Sequence, residues 1–150
     1  MGLIVNKPQP KLKFVKLIQQ LDIYVEGTVR DARVHYGGPV EGVRGFVLHT
    51  DDYRTEGGTI DVADHICMTA TMDGLHDIAR GKGPQTALLA LGYAGWGAGQ
   101  LEGEIVQNSW LTCDVDAGIV FGTDNDAKWT AALATLGISP ELLSSTGGHA

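Results

Sequence analysis

The sequence predicts one α+β domain built on a mixed sheet, and three observations carry that prediction. Its 150 residues suffice for one continuous core. Helical and strand-like stretches alternate in one half of the chain, whereas strand-like stretches follow one another directly in the other half, an order that suits a mixed sheet. The run from Thr86 to Leu91 is almost wholly apolar, with Gly83-Pro84 before it and glycines after it. Such a run reads as a strand covered on both faces.

In chain order, Gly2 to Asn6 reads as a strand that stops at Lys7-Pro8. Leu12, Phe14, Val15, Leu17, Ile18 and Leu21 then give a helix with a broad apolar face, with Lys13, Lys16 and Gln20 outside. Val34-His35-Tyr36 leads into the turn signal Gly37-Gly38-Pro39, and Gly45 to Thr50 reads as a strand centred on Phe46-Val47-Leu48. The polar segment Asp51 to Gly58 reads as an exposed loop or hairpin. Two short strands follow, Thr59 to Val62 and Ile66 to Ala70, around Ala63-Asp64-His65.

Asp73 is the expected N-cap of a helix running through Arg80. After the buried strand, Gly92, Gly95, Gly97 and Gly99 mark a turn, and Leu101, Ile105, Val106 and Trp110 recur at helical spacing behind it. Leu111 to Val115 and Gly118 to Phe121 suggest a strand pair turning at Asp116-Ala117. Asp124 or Asp126 caps a last long helix carrying Trp129, Leu133 and Leu136, which Gly137 ends in the left-handed conformation. Ser139-Pro140-Glu141 restarts a short helical turn.

The stretch Gly92-Tyr93-Ala94-Gly95-Trp96-Gly97-Ala98-Gly99-Gln100-Leu101-Glu102 is the most distinctive in the chain. Together with Gly2-Leu3-Ile4-Val5-Asn6-Lys7-Pro8, Tyr36-Gly37-Gly38-Pro39-Val40 and Gly45-Phe46-Val47-Leu48-His49, it closely resembles the bacterial YqgE/AlgH family over the whole length. The resemblance implies a single domain over residues 1–150, with a strongly twisted mixed sheet flanked by helices. Members are commonly labelled transcriptional regulators, without an agreed activity. Most carry further strand-forming sequence before the Gly-Leu-Ile-Val-Asn-Lys-Pro motif, so the domain reads as shortened at its N-terminus. A sheet that loses strands exposes an edge, so the chain is expected to self-associate through it or to be less stable than longer relatives.

Several functions fit the sequence poorly. A formal charge of −7 opposes attraction to phosphate backbones and anionic membranes. The basic cluster Lys7, Lys11, Lys13 and Lys16 comes with no nucleic-acid-binding signature. Direct DNA binding, which the family label suggests, is therefore not expected. The glycines at 95, 97 and 99 miss the G-x-G-x-x-G spacing, and Glu102 would repel a phosphate at the helix start, which argues against nucleotide binding. No cofactor and no membrane span is read from the chain, and a cytoplasmic setting with Cys67 and Cys113 as buried free thiols is the expectation.

His65 and Cys67 would share one strand face, but no C-x-x-C or H-E-x-x-H accompanies them, so a metal site is not read either. No serine lies in G-x-S-x-G. The acidic pairs Asp51-Asp52 and Asp124-Asn125-Asp126 read as caps and turns. The preferred reading is a non-enzymatic binding or regulatory module for a protein or small-molecule partner. Its surface would combine His35, Tyr36, Gly37, Gly38 and Pro39 with Tyr93, Gly95, Trp96, Gly97, Gly99 and Gln100, because glycines leave backbone donors accessible beside large aromatic faces. The alternative is an enzyme or a small-molecule or nucleotide sensor that brings His35, His49 and Glu104 into one pocket.

Overall fold

A computed structural model describes residues 1–29 and 31–143. Helix α1 spans Phe14–Gln20, strand β1 Arg33–Tyr36, β2 Val40–Thr50, β3 Thr59–Ala63, β4 Ile66–Thr69, helix α2 Met72–Ala79, β5 Ala87–Tyr93, α3 Gln100–Val106, α4 Ala117–Val120 and α5 Asn125–Thr135, and a 3-10 turn covers Pro140–Leu142. The strands form one sheet in the order β1-β5-β2-β4-β3. Only β1 and β5 run parallel; the other neighbours are antiparallel, so the sheet is mixed as expected.

The interior strand β5 is buried on both sides, and the period-2 alternation of a strand sorts its residues between two cores. Leu89 and Leu91 join Val34 of β1 and Val47 of β2 beneath α1 and α2, where Phe14, Ile18, Leu75 and Ile78 are buried. Leu88 and Ala90 face the other way, with Leu48, Ile66 and Phe121, and with Leu3 and Val5 packed against them. Each large side chain lost from these layers would cost about 2–5 kcal/mol through the cavity it leaves.

The helix ends follow local chemistry. After α1 the amide of Ile23 donates to Ile18 and that of Asp22 to Gln19, with Asp22 at φ 55. This is the paired-bond ending that normally takes glycine, here with an aspartate and a buried Ile23 closing the hydrophobic contact. Gly137 ends α5 the same way, at φ 69, with Ile138 donating to Leu133. Helix α5 starts where Asp124 accepts from the amides of Asp126 and Ala127.

Several expected elements differ. Residues 2–9 make no continuous strand: they touch the sheet through isolated bridges at Gly2 with Ala94 and Pro8 with His35, joined by the amide of Ile4 on the carbonyl of Gly37. Proline at 8 and 10 interrupts any longer ladder. The N-cap of α2 is Thr71, and Asp73 sits in its first turn instead. The strand pair expected over 111–121 is absent. Residues 111–116 are exposed without ladder bonds, and 117–120 coil into α4 because the carboxylate of Asp116 accepts from the amide of Ile119. Trp129 and Leu136 are exposed on α5, whose buried members are Lys128 and Leu133.

The Gly37-Gly38 turn crosses the end of β5 with main chain against main chain. A Cβ at Gly37 would lie 2.2 Å from the carbonyl oxygen of Gly92, and one at Gly38 would lie 2.1 Å from the carbonyl carbon of Tyr93. No side chain fits there. Gly37→Ala should therefore lower the urea-unfolding free energy by more than about 3 kcal/mol or prevent folding. By contrast, Gly27→Ala, at φ 91 in open space, should cost only about 1 kcal/mol. Equal, small losses at both positions would show that the crossing tolerates separation.

Candidate functional site

The expected surface splits into a sealed half and an exposed half. His35 is 1% exposed, Gly37 and Gly38 are buried against the Gly92–Tyr93 backbone, and only Tyr36, in part, and Pro39 reach solvent. The two glycines therefore serve close approach and present no free donors to a ligand, which corrects the expectation for His35, Gly37 and Gly38. Tyr93 is half-buried and engaged edge-on by Phe46, with ring centroids 5.9 Å apart. Its hydroxyl is drawn toward Glu41, which with partial desolvation raises the phenol's pKa.

Residues 95–100 are the exposed half: Gly95, Gly97, Ala98, Gly99 and Gln100 are exposed, and Trp96 is half-buried. Gly99, at φ 73, is the N-cap of α3, a left-handed position that glycine takes without strain. Helix α3 has no fully buried residue, and Leu101 and Glu104 are half-buried.

Glu104 organises this surface. One carboxylate oxygen accepts from the indole N–H of Trp110 at 2.6 Å and from that of Trp96 at 3.2 Å. The other oxygen accepts from the Gln100 amide at 2.9 Å. Gln100 sits one helical turn before Glu104, and its own oxygen accepts from the amide of Gly97 at 3.0 Å, so the carboxylate also fixes the turn through a second side chain.

The two indoles meet edge to face, centroids 5.8 Å apart at 77°, an arrangement favoured by the ring quadrupoles. Gly2 lies against the Trp96 six-membered ring, where a Cβ would come within 3.1 Å of Cζ3. The bonds from Trp110, Gln100 and Trp96 hold the Glu104 carboxyl below its ordinary pKa. The role of Trp110 was not legible in the sequence, where it read as one more helical-spaced apolar residue. The available signal was the i,i+4 spacing of Gln100 and Glu104 beside a Trp in the preceding turn.

The histidines do not converge with Glu104 or with each other. His35 pairs in register with Ala90 and therefore lies on the α4–α5 face, whereas His49 pairs with Ala87 and lies on the α1–α2 face. His49, 0% exposed, bonds the Thr69 hydroxyl at 2.9 Å and the Thr50 carbonyl at 2.8 Å. Thr69 continues to Thr59 at 2.7 Å, a buried hydroxyl chain that ties β2, β4 and β3 together.

His35 bonds Asn125 Oδ1 through Nε2 at 3.0 Å, beside two cations that secure other backbone. Arg33 donates to the carbonyls of Phe121 and Gly122 at 2.7 and 2.8 Å, and Lys128, 5% exposed, donates to that of Val5 at 2.7 Å. Desolvation lowers the Lys128 pKa, and Arg33 adds to the effect.

His65 sits in the β3–β4 turn at φ 59 and bonds Asp51 at 2.9 Å, which raises its pKa. Cys67 is buried and bonds Asp61, whereas the His65 side chain is exposed. Cys113 is exposed, contrary to expectation, because residues 111–116 leave the sheet. Among the described residues no cluster of three or more His, Cys, Asp or Glu side chains could hold a metal ion. Nor, among them, is any helix long and apolar enough to cross a membrane.

With this geometry established, likeness to known proteins decides the family. The sequence profile of AlgH-like proteins matches residues 1–141. The chain belongs to the AlgH-like family. A UPF0301 protein of Cereibacter sphaeroides is 52% identical over 150 residues, matching the whole chain and 82% of the relative. One from Ruegeria pomeroyi is 54% identical over 151 residues, again with 82% of the relative covered. The solution structure of the AlgH protein from Pseudomonas aeruginosa superposes with a TM-score of 0.78 at 39% identity, covering the whole of this chain and 79% of that one.

The buried His35 gives AlgH-like folding here a defined pH response. Burial lowers its pKa from 6.5, with the Lys128 charge adding to the shift, while bonds to Asn125 and to the Arg33 backbone oppose it in part. The unfolded chain takes up this proton near pH 6.5 while the folded protein does not. The stability His35 contributes is thus complete above that pH and is lost as pH falls toward the folded pKa. In urea melts at pH 7.5 and 5.5, His35→Gln should be less pH-sensitive than the parent. An unchanged slope would place the titration elsewhere.

Proposed function

We propose that this AlgH-like protein is a non-catalytic binding module with a regulatory role exerted through a partner. Its contact surface is the Trp96–Gln100 turn with Trp110 and Glu104. One observation carries the reading: a single carboxylate holds two indoles and a glutamine in place at the surface, on a helix with no fully buried residue. Aromatic side chains fixed before binding lose little conformational freedom on complex formation, and tryptophan dominates the energetics of many interfaces. The exposed glycines beside them let a peptide backbone or a protein loop approach closely.

A partner that contacts protein rather than phosphate is also consistent with the charge of −7. The enzymatic reading would need His35, His49 and Glu104 in one place, and the first two lie on opposite faces of the sheet.

The surface can be tested by affinity capture with the wild type, Trp110→Ser and Val43→Lys. Trp110 and Val43 are 37% and 95% exposed, so neither change should unfold the protein. A partner held through the aromatic pair should be retained about tenfold less by Trp110→Ser, the loss expected for about 1.4 kcal/mol, and at the wild-type level by Val43→Lys. A set of captured proteins unchanged by Trp110→Ser would remove this surface as the site.

A further inference from the structure

Both indole N–H groups of the aromatic pair donate into the Glu104 carboxylate, so the electropositive atom of each ring is used within the protein. What Trp96 and Trp110 still offer is ring carbon, and the faces of such rings carry the negative part of the quadrupole. The donors on Glu104 are two indoles and an amide, all neutral, and among the described residues no ion pair includes it. The carboxylate therefore keeps its negative charge.

Its acceptor positions are also not all filled. A carboxylate offers about four lone-pair sites over its two oxygens. Oε2 takes both indoles, whereas Oε1 takes the Gln100 amide alone. One position on Oε1 stays open.

The neighbouring chain supplies nothing positive to fill it. From Gly83 to Ala127 the sequence has no lysine, arginine or histidine, while the exposed Glu102, Asp114 and Asp116 join Glu104 there. Among the described residues Arg44 lies over the Phe46 ring, and neither indole has a cation over its face. Two electron-rich rings beside an unneutralised carboxylate make a site that lacks only its cation.

We propose that Trp96, Trp110 and Glu104 bind an arginine side chain on a basic segment of a partner polypeptide. The guanidinium lies over an indole face and donates to the open position on Glu104 Oε1. Arginine suits the site better than lysine, because its planar group stacks on a ring while its N–H donors stay in the plane for the carboxylate. Further basic residues of the segment meet Glu102 and Asp114. This inference rests on the contact surface proposed above and adds the chemistry of what it recognises. A second copy of the chain fits less well, since two chains of charge −7 repel.

The test follows indole N–H resonances of the full chain, labelled with nitrogen-15, as capped heptapeptides are added. One peptide alternates glycine with arginine, the other glycine with glutamate. Trp129, 51% exposed on α5, is the internal reference. The arginine peptide should shift Trp96 and Trp110 saturably and leave Trp129 in place, binding about fivefold more weakly when salt rises from about 0.05 to 0.5 M. The glutamate peptide should shift none of them. Trp110→Leu keeps an apolar side chain at an exposed position but removes the ring face, so it should weaken arginine-peptide binding about fivefold, read at Trp96.

The proposal falls if the arginine peptide shifts neither indole, if the glutamate peptide shifts them equally, or if Trp110→Leu binds as tightly as the parent. It falls alone, with the contact surface left standing, if a captured partner is lost with Trp110→Ser but kept by Trp110→Leu, for the surface then takes an apolar group. It also falls if light scattering finds a dimer that Trp110→Leu disperses, because a second copy then occupies the site.

Discussion

The structure depends on one close approach of main chain to main chain. Where Gly37-Gly38 passes the end of β5, the amide of Gly37 bonds the carbonyl of Leu91 at 2.7 Å, and any side chain at either glycine would overlap Gly92 or Tyr93. That crossing fixes the C-terminal ends of β1 and β5 together. It also brings residues 2–4 alongside, through the bonds of Gly2 with Ala94 and of Ile4 with Gly37. The turn after β5 can then leave the sheet from a rigid base, and Trp96 finds Gly2 already in place beneath its ring.

The glycine-rich motif thereby does two separate jobs. Its early members, together with the Gly37-Gly38 pair, make room for backbone. Its later members, Gly95 to Gly99, keep the turn open around an indole held by Glu104. Glu104 substitutes for a packed core under α3: three side-chain donors on one carboxylate give this short helix and its turn the rigidity that burial gives α1 and α2. On the far side of the sheet, Arg33, His35, Asn125 and Lys128 make the comparable polar clamp, holding residues 121–122 and Val5 against β1. Burial, with the Lys128 cation adding to it, disfavours a charge on His35 and makes the clamp sensitive to acid.

Much of this architecture was legible in the residues. The apolar run before Gly92, the β3–β4 pair, the α1 stripe and the Gly137 ending all follow from periodicity and turn chemistry. The stretch 111–121 did not, because alternation of apolar and polar residues is shared by strands and by exposed extended chain. Asp116 decides between strand and helix by capping Ile119. The site was legible only by half. Glycine density marks where backbone is unusual, but whether the space it leaves is filled by another strand, as at Gly37, or by solvent, as at Gly97, depends on long-range pairing. His35 and His49 show the same limit: which sheet face each takes follows from the register against β5, and no spacing within the chain encodes it.

The division of the motif into buried framework and open surface can be measured directly by NMR with a soluble paramagnetic agent, reading its broadening of backbone amides and indole protons. Strong broadening is expected at the amides of Gly95, Ala98 and Gly99, clear broadening at the Trp110 indole, and almost none at the amides of His35 and Gly37. Protection of residues 95–99 and Trp110 comparable to that of Gly37 would mean that the whole motif is framework, and the proposed contact surface would not exist.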